Sequence, residues 1–300
     1  MHFSKENLNF TPENYKCTFM NEEIQKINLS DYIQTGEGGT ALTYTHKDGI
    51  SLAKLYKPGF EADRAKEEFL TARTVFELGI PSPEPFRLIT DGLRSGAEYE
   101  LIKGKRSYTR IISQEPERLE EISLKFAHMS KELHAKEADT SRLRSFKQRI
   151  ACFYREKNMV PEDYKQRALK FLDTVPDTPR CLHGDLHIGN IITDGQRDLW
   201  IDLGEFAYGA PEWDLALLWT MCHNMPGDRV EHIFHITHDM MVAHWDIFFS
   251  AYLGTSAPQV IYDATERLLP YYAAKVPYTF DMVFNRPMPD KALQNIVKFF

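Results

Sequence analysis

Cysteine is scarce in this chain: Cys17, Cys152, Cys181 and Cys222 are the only four in 300 residues. No two of them form a C-x-x-C pair, so neither a zinc ribbon nor a thioredoxin-like redox pair can be drawn. Free thiols in a chain of this size fit a reducing compartment. Long apolar runs are missing too. The longest, near 215–222, falls far short of the roughly 20 residues that span a bilayer. The opening MHFSKENLNFTPENYK has no apolar core of the signal-peptide kind. A cytoplasmic protein with no membrane contact is expected. Basic residues are not in excess either, 36 Lys and Arg facing 43 Asp and Glu, for a net charge of −7. That balance argues against a nucleic-acid partner, whose binding rests on a basic stripe. It leaves room for a phosphate site, which needs only a few donors. Gly and Pro number 16 each, too few for a collagen-like or linker-dominated chain. No internal repeat or low-complexity segment is present.

Patterning divides the chain. Residues 1–26 are polar and weakly patterned, an extension expected to lie over the first sheet. Short β-rich runs follow at Ile27–Gln34, Thr40–His46 and Ile50–Tyr56, the last two joined by an Asp48-Gly49 hairpin signal. Ala65, Phe69, Ala72 and Phe76 at helical spacing predict a helix over Glu61–Gly79, ended by Gly79-Ile80-Pro81. Two more strands are expected at Phe86–Thr90 and Ala97–Lys103. Beyond Gly104 the pattern turns helical: Leu119, Ile122, Phe126, Met129 and Leu133 step by three and four. Further helices are expected over Ser141–Asn158, Pro161–Asp173, Glu212–Asn224 and much of Arg229–Leu253, around a β-like island at Ile191–Thr193 and Leu199–Leu203. The expectation is an α+β chain with a β-rich lobe over 1–103 and a mainly helical lobe over 104–300.

Three groups of residues carry chemistry. In Thr35-Gly36-Glu37-Gly38-Gly39-Thr40 the glycines let backbone N–H groups approach a phosphate. A dinucleotide fingerprint would need a helix directly afterwards, and Thr40–His46 alternates instead. A plain tight turn stays open for the loop taken alone. Lys54, centred in an apolar strand, must find a partner. A nucleotide phosphate and a helix carboxylate would satisfy it, Glu68 being preferred over Glu67 because it borders the buried stripe. A lysine reaching out to water from an edge strand is the alternative. The third group is His183-Gly184-Asp185-Leu186-His187-Ile188-Gly189-Asn190 followed by Ile201-Asp202-Leu203-Gly204. Asp185 and Asn190 have the D-x-x-x-x-N spacing of a kinase catalytic loop, a base and a Mg²⁺ ligand, and Asp202 reads as a D-x-G metal ligand.

In these motifs the chain resembles the aminoglycoside phosphotransferase and choline kinase family, from about Ile33 to Leu218, with Ile188 where the family commonly has proline. The resemblance implies a protein-kinase-like two-lobe fold, with the N-terminal lobe binding nucleotide and the C-terminal lobe holding the catalytic and substrate sites. It also implies ATP and Mg²⁺ as cofactors and a hydroxyl of a small molecule as acceptor. Asp185 would be the catalytic base, Asn190 and Asp202 the Mg²⁺ ligands, and Lys54 the α/β-phosphate anchor. Glu100 and Ile102 would offer hinge backbone groups to adenine, while His183 and Asp214 would brace the catalytic loop. A non-catalytic nucleotide-binding scaffold and an atypical protein kinase are the rival readings. Asp202 and Asp214 are too close in sequence for a peptide-binding activation segment, so Ala210-Pro211-Glu212 reads as an accidental match to a protein-kinase motif.

Other features have blander readings. His232, His235 and His238 drift around a helix and read as a partly buried face. Lys103, Lys105, Arg106 and Arg110 read as a solvated basic face or an anion contact. For the acceptor, Asp239, Asp246, Asp263 and Glu266 with Trp245, Phe248, Tyr271 and Tyr272 outline either a cation-binding box or ordinary surface and core.

Overall fold

The computed structural model describes residues 23–38, 40–58 and 62–300, so Gly39 and most of the expected extension lie outside the described residues. The N-terminal part builds a six-stranded sheet from β1 (Gln25–Lys26), β2 (Tyr32–Glu37), β3 (Ala41–His46), β4 (Ser51–Tyr56), β5 (Pro85–Thr90) and β6 (Ser95–Glu100). Its order is β1-β5-β6-β4-β3-β2, and only the β1–β5 pair is parallel. The expected first strand is split: Leu29–Asp31 forms a 3₁₀ turn, and β2 begins only at Tyr32.

Asp48 accepts the Ile50 N–H at 2.8 Å and Gly49 adopts φ +70°, so the β3–β4 hairpin turns where its Asp-Gly pair predicts. Strand parity sends Ala53 and Leu55 into a core with Ile27, Tyr32, Tyr44 and Ile89. Lys54 therefore points from the opposite face, where α1 (Ala62–Glu77) crosses the sheet. Ala65, Phe69 and Ala72 are buried as their spacing predicts, and full burial of Phe69 contributes about 1.5–3 kcal/mol. Phe76 is a correction: it is exposed, and Val75 is the residue turned inward. The reason is that the last turn of α1 faces away from the sheet, Val75 and Ile80 joining the core of the helical part.

The chain then runs through β7 (Arg106–Ser107), α2 (Tyr108–Gln114), α3 (Leu119–Ala135), α4 (Phe146–Glu156) and α5 (Glu162–Thr174). Short strands β8 (Cys181–Leu182), β9 (Ile191–Thr193), β10 (Asp198–Trp200) and β11 (Ala207–Tyr208) carry the loops between them. Strands β10, β9 and β7 form one small sheet, and β11 pairs with β8. Helices α6 (Glu212–His223), α7 (Gly227–Phe234), α8 (His238–Leu253), α9 (Pro258–Phe284) and α10 (Asp290–Ile296) complete the bundle.

Two differences from the sequence reading lie in the helices. The expected helix over Arg229–Leu253 breaks at His235, which takes the left-handed conformation at φ 58°. His232 and His235 are exposed and His238 opens the next helix, so the three share no helix face. Helix α9 has no counterpart in the sequence reading, and it runs through Pro270 and Pro277. Pro277 has no N–H for the Ala273 carbonyl, and the Tyr164 hydroxyl donates to that carbonyl at 2.8 Å instead. The Tyr154 hydroxyl does the same for Ala274 at 2.8 Å. Tyrosines of α4 and α5 thus satisfy the backbone around the proline and clamp α9 to the bundle. Among the described residues no helix is long and apolar enough to cross a membrane.

Candidate active site

Lys54 is flanked in register by Thr43 of β3 and Ala97 of β6, well inside the sheet. Its ammonium meets Glu68 Oε1 at 2.7 Å and Asp202 Oδ1 at 3.1 Å. Burial alone would lower its pKa, but the Glu68 and Asp202 carboxylates outweigh that and raise it well above the ordinary lysine value. The Tyr56 hydroxyl holds the other Glu68 oxygen. Glu67, one position earlier, faces outward to Arg144 at 2.6 Å, with both side chains more than half exposed.

Asp202 follows β10 and has φ 60°, a left-handed conformation that costs a non-glycine residue about 1–3 kcal/mol. Its side chain is 59% exposed and aimed at the cleft beside Lys54, whose charge holds the carboxyl below its usual range.

The 183–190 loop is fixed mainly from beneath. Asp214, fully buried at the start of α6, accepts the His183 N–H at 2.7 Å and the Gly184 N–H at 2.9 Å. His134 of α3 contacts the same carboxylate at 3.2 Å. Burial pushes Asp214 up, yet the His134 hydrogen bond and the Lys275, His134 and His183 charges bring it below the usual carboxylate range. The buried His183 ring donates from Nε2 to the Ile201 carbonyl at 3.0 Å, tying this loop to the one bearing Asp202. Gly184 has φ +82°, and a Cβ there would lie 2.0 Å from the Glu205 carbonyl oxygen, so only glycine fits.

Asp185 itself reaches the cleft, its side chain 37% exposed. His187 Nδ1 accepts the Gly189 N–H at 3.1 Å, which leaves Nε2–H facing Asp185 Oδ2 at 3.6 Å. Burial raises the Asp185 pKa, but His187 above all, then His183 and Lys275, pull it well below the ordinary value. Asp185 is anionic at neutral pH. Asn190 donates from Nδ2 to the Asp185 carbonyl at 2.9 Å and, at 3.5 Å, to its carboxylate.

Between the sheet and the bundle lies a cleft of about 330 Å³, with Gly38, Leu52, Ile102, Ile192 and Ile201 on its walls and Lys54, Glu68 and Asp202 at its inner end. Glu100 and Ile102 line it on the strand-to-bundle connection. The Glu100 N–H is taken by the Glu84 carbonyl at 2.8 Å, and its carboxylate by Arg197 at 2.9 Å. Gly38 closes the β2–β3 turn through its N–H to the Ala41 carbonyl at 2.8 Å. Gly36 lies where a Cβ would come 2.5 Å from Thr43 Oγ1. A second cavity of about 520 Å³ adjoins at Lys54, Glu68 and Asp202 and opens onto Asp185, Glu205 and Tyr278.

Of the described site residues proposed from the sequence, Gly38, Lys54, Glu68, Glu100, Ile102 and Asp202 line the first cavity and Asp185 the second, His183, Asn190 and Asp214 are buried, and Gly36 lines neither cavity. The aromatic box does not form: Trp245, Phe248 and Tyr272 are buried in the bundle core, and Asp239, Asp246, Asp263 and Glu266 face solvent. Burial of the apolar rings outweighs any cation contact at those positions. Of the basic cluster, Lys105 lines the cleft, while Arg106 pairs with Glu115 at 2.5 Å. Sequence reasoning missed Lys275, whose buried ammonium donates to the Gly184 and Trp213 carbonyls at 2.8 and 3.0 Å. It also missed Glu205, held by Arg149 at 2.6 Å and the Tyr278 hydroxyl at 3.1 Å. The one sequence signal was a lysine within the apolar run Tyr271–Pro277.

Comparison with known proteins bears on this arrangement. Residues 34–246 match the phosphotransferase enzyme family, and the chain belongs to it. It is an enzyme of the small-molecule kinase class, with a protein-kinase-like α+β fold. A choline/ethanolamine kinase family protein from Mesorhizobium loti aligns with a TM-score of 0.53 at 14% identity, over 96% of this chain and 90% of the other. A thermostable mutant of an aminoglycoside phosphotransferase, in complex with ADP and hygromycin B, gives a TM-score of 0.59 at 14% identity, over 90% and 94%. An ethanolamine kinase from Plasmodium vivax gives 0.54 at 16%, over 82% and 74%. No protein of curated function matches the chain.

Proposed function

We propose that the protein transfers the γ-phosphoryl group of ATP, with Mg²⁺, to a hydroxyl of a small molecule. The observation that carries this reading is the convergence of Lys54, Glu68, Asp202 and Asp185 on two adjoining cavities, with Asn190 buried behind Asp185 and hydrogen-bonded to it. The apolar walls by Ile102, Ile192 and Ile201 suit an adenine, and Lys54 suits the α/β-phosphates. ADP in one structural neighbour supports the nucleotide assignment. The donor set also suits Mg²⁺. Asn190 engages Asp185 through Nδ2 and keeps Oδ1 to offer, and the exposed Asp202 carboxylate supplies a second hard oxygen. The metal, when bound, supplies neutralisation of phosphate charge.

The protein's own part is positioning. The acceptor oxygen forms its bond to the γ-phosphorus as the bond to the β-bridging oxygen breaks and ADP leaves. Asp185, anionic and oriented by Asn190 and His187, accepts the hydroxyl hydrogen bond and then the proton. The acceptor cavity is lined by Asp63, Glu68, Asp185, Asp202 and Glu205 against Lys54 and Arg64, which favours a hydroxyl compound bearing amines. Hygromycin B and ethanolamine, named with two neighbours, share that chemistry.

The test is mass spectrometry of pooled hydroxyl compounds incubated with Mg-ATP and either wild type or Asp185→Asn. A phosphorylated product is expected with wild type, with turnover about 10²–10⁴-fold lower for Asp185→Asn at similar Mg-ATP affinity. Equal turnover by the two proteins would overturn the base assignment.

A further inference from the structure

Lys275 lies on α9, beyond the 34–246 family match, and only 2% of it is exposed. Its ammonium stands 4.4 Å from the Phe146 ring centroid and donates to two carbonyls, those of Gly184 and Trp213. These two residues directly precede Asp185 and Asp214, the proposed base and the carboxylate under its loop. Its hydrogen-bond acceptors are neutral peptide oxygens, a costly setting for a buried ammonium, since an apolar side chain of similar length would fill the space without desolvating a charge. The Gly184 residue is thereby held on three sides. Asp214 takes its N–H, Lys275 takes its C=O, and the Glu205 backbone leaves no room for a Cβ. One turn further along α9, Tyr278 donates to Glu205, three residues after Asp202.

We propose that Lys275 is a positioning residue of the active site: its ammonium fixes the peptide joining Gly184 to Asp185 and so aims the Asp185 carboxylate at the acceptor. It touches neither substrate and acts through the loop alone. The inference rests on the phosphotransfer reading above, and the test separates the two.

The assay is Mg-ATP turnover with water as acceptor, beside Mg-ATP affinity and thermal unfolding, for wild type, Lys275→Met, Lys275→Gln, Asp185→Asn and the Lys275→Met/Asp185→Asn pair. Lys275→Met is expected to lower kcat about 10–100-fold, the scale of a small misplacement of a catalytic group. Its KM for Mg-ATP should stay within about threefold, because the Lys54 end of the cleft is untouched. Lys275→Gln, which keeps a donor, should recover part of the loss. In the Asp185→Asn background, Lys275→Met should cost nothing further, as expected of a residue acting through Asp185. A folded Lys275→Met with wild-type kcat overturns the proposal, and so does full additivity in the double variant. If both Lys275 variants unfold, the lysine is structural and the proposal fails. Wild type that neither binds nor turns over Mg-ATP defeats the phosphotransfer reading itself, and the Lys275 proposal with it.

Discussion

Glu67 and Glu68 are neighbours of identical chemistry with opposite fates. Glu68 sits under β4 with Lys54 and Tyr56, its side chain 11% exposed, and Glu67 reaches an exposed arginine. Removing the Glu68 charge leaves Lys54 with Asp202 as its remaining carboxylate partner, and that pairing competes with any cation Asp202 would hold. Glu68→Gln is expected to lower kcat/KM for Mg-ATP about 10–100-fold, by analogy with the cost of disturbing a catalytic constellation. Glu67→Gln should stay within about twofold, because exposed ion pairs contribute at most about 1 kcal/mol. Steady-state kinetics of the two variants side by side decide it. The preference for Glu68 was readable from helix periodicity, since position 68 borders the stripe of Ala65, Phe69 and Ala72. The Asp202 strain was not readable: nothing local in Ile201-Asp202-Leu203-Gly204 marks the aspartate as the left-handed residue.

Helix α9 shows how a local rule yields to packing. Proline in a helix interior removes a hydrogen bond, yet α9 runs 27 residues through two of them. The carbonyl that Pro277 leaves without its helical donor is buried, and Tyr164 supplies the missing hydroxyl. Tyr164→Phe is therefore expected to destabilise the protein by about 1–3 kcal/mol, the cost of a buried acceptor left unpaired. In a Pro277→Ala background, where the backbone N–H returns, the same change should cost less. Urea unfolding of the four proteins measures the difference. The strands and α1, by contrast, lie close to where alternation, the Asp-Gly turn and the helical stripe place them, because each signal acts within a few residues.

Across the whole molecule, Asp214 joins α3, α6 and the 183–190 loop through one carboxylate. Its pKa is depressed on folding, so its contribution is full above the unfolded aspartate value of about 4 and is lost as pH falls toward the folded value. Asp214→Asn should lower the stability near pH 7, an amide being unable to accept from two backbone N–H groups with the same oxygens. The gap between wild type and variant should shrink as pH falls from about 5 to 3. Chemical denaturation at stepped pH checks this, and a gap that widened would contradict the shift.

What the sequence by itself determined was local: strand parity that turns Lys54 away from Ala53 and Leu55, the five-residue step from Asp185 to Asn190, and the Asp48-Gly49 turn. Each follows from backbone period or turn chemistry over a handful of residues. Only the tertiary structure decided that Lys275 would lie beneath Gly184, 91 positions away, that Arg149 and Tyr278 would hold Glu205, and that Trp245, Phe248 and Tyr272, open between a cation-binding box and core, would be core. These pairings depend on which faces of distant helices meet, and the burial that selects them is a property of the packed bundle, with no spacing along the chain to announce it.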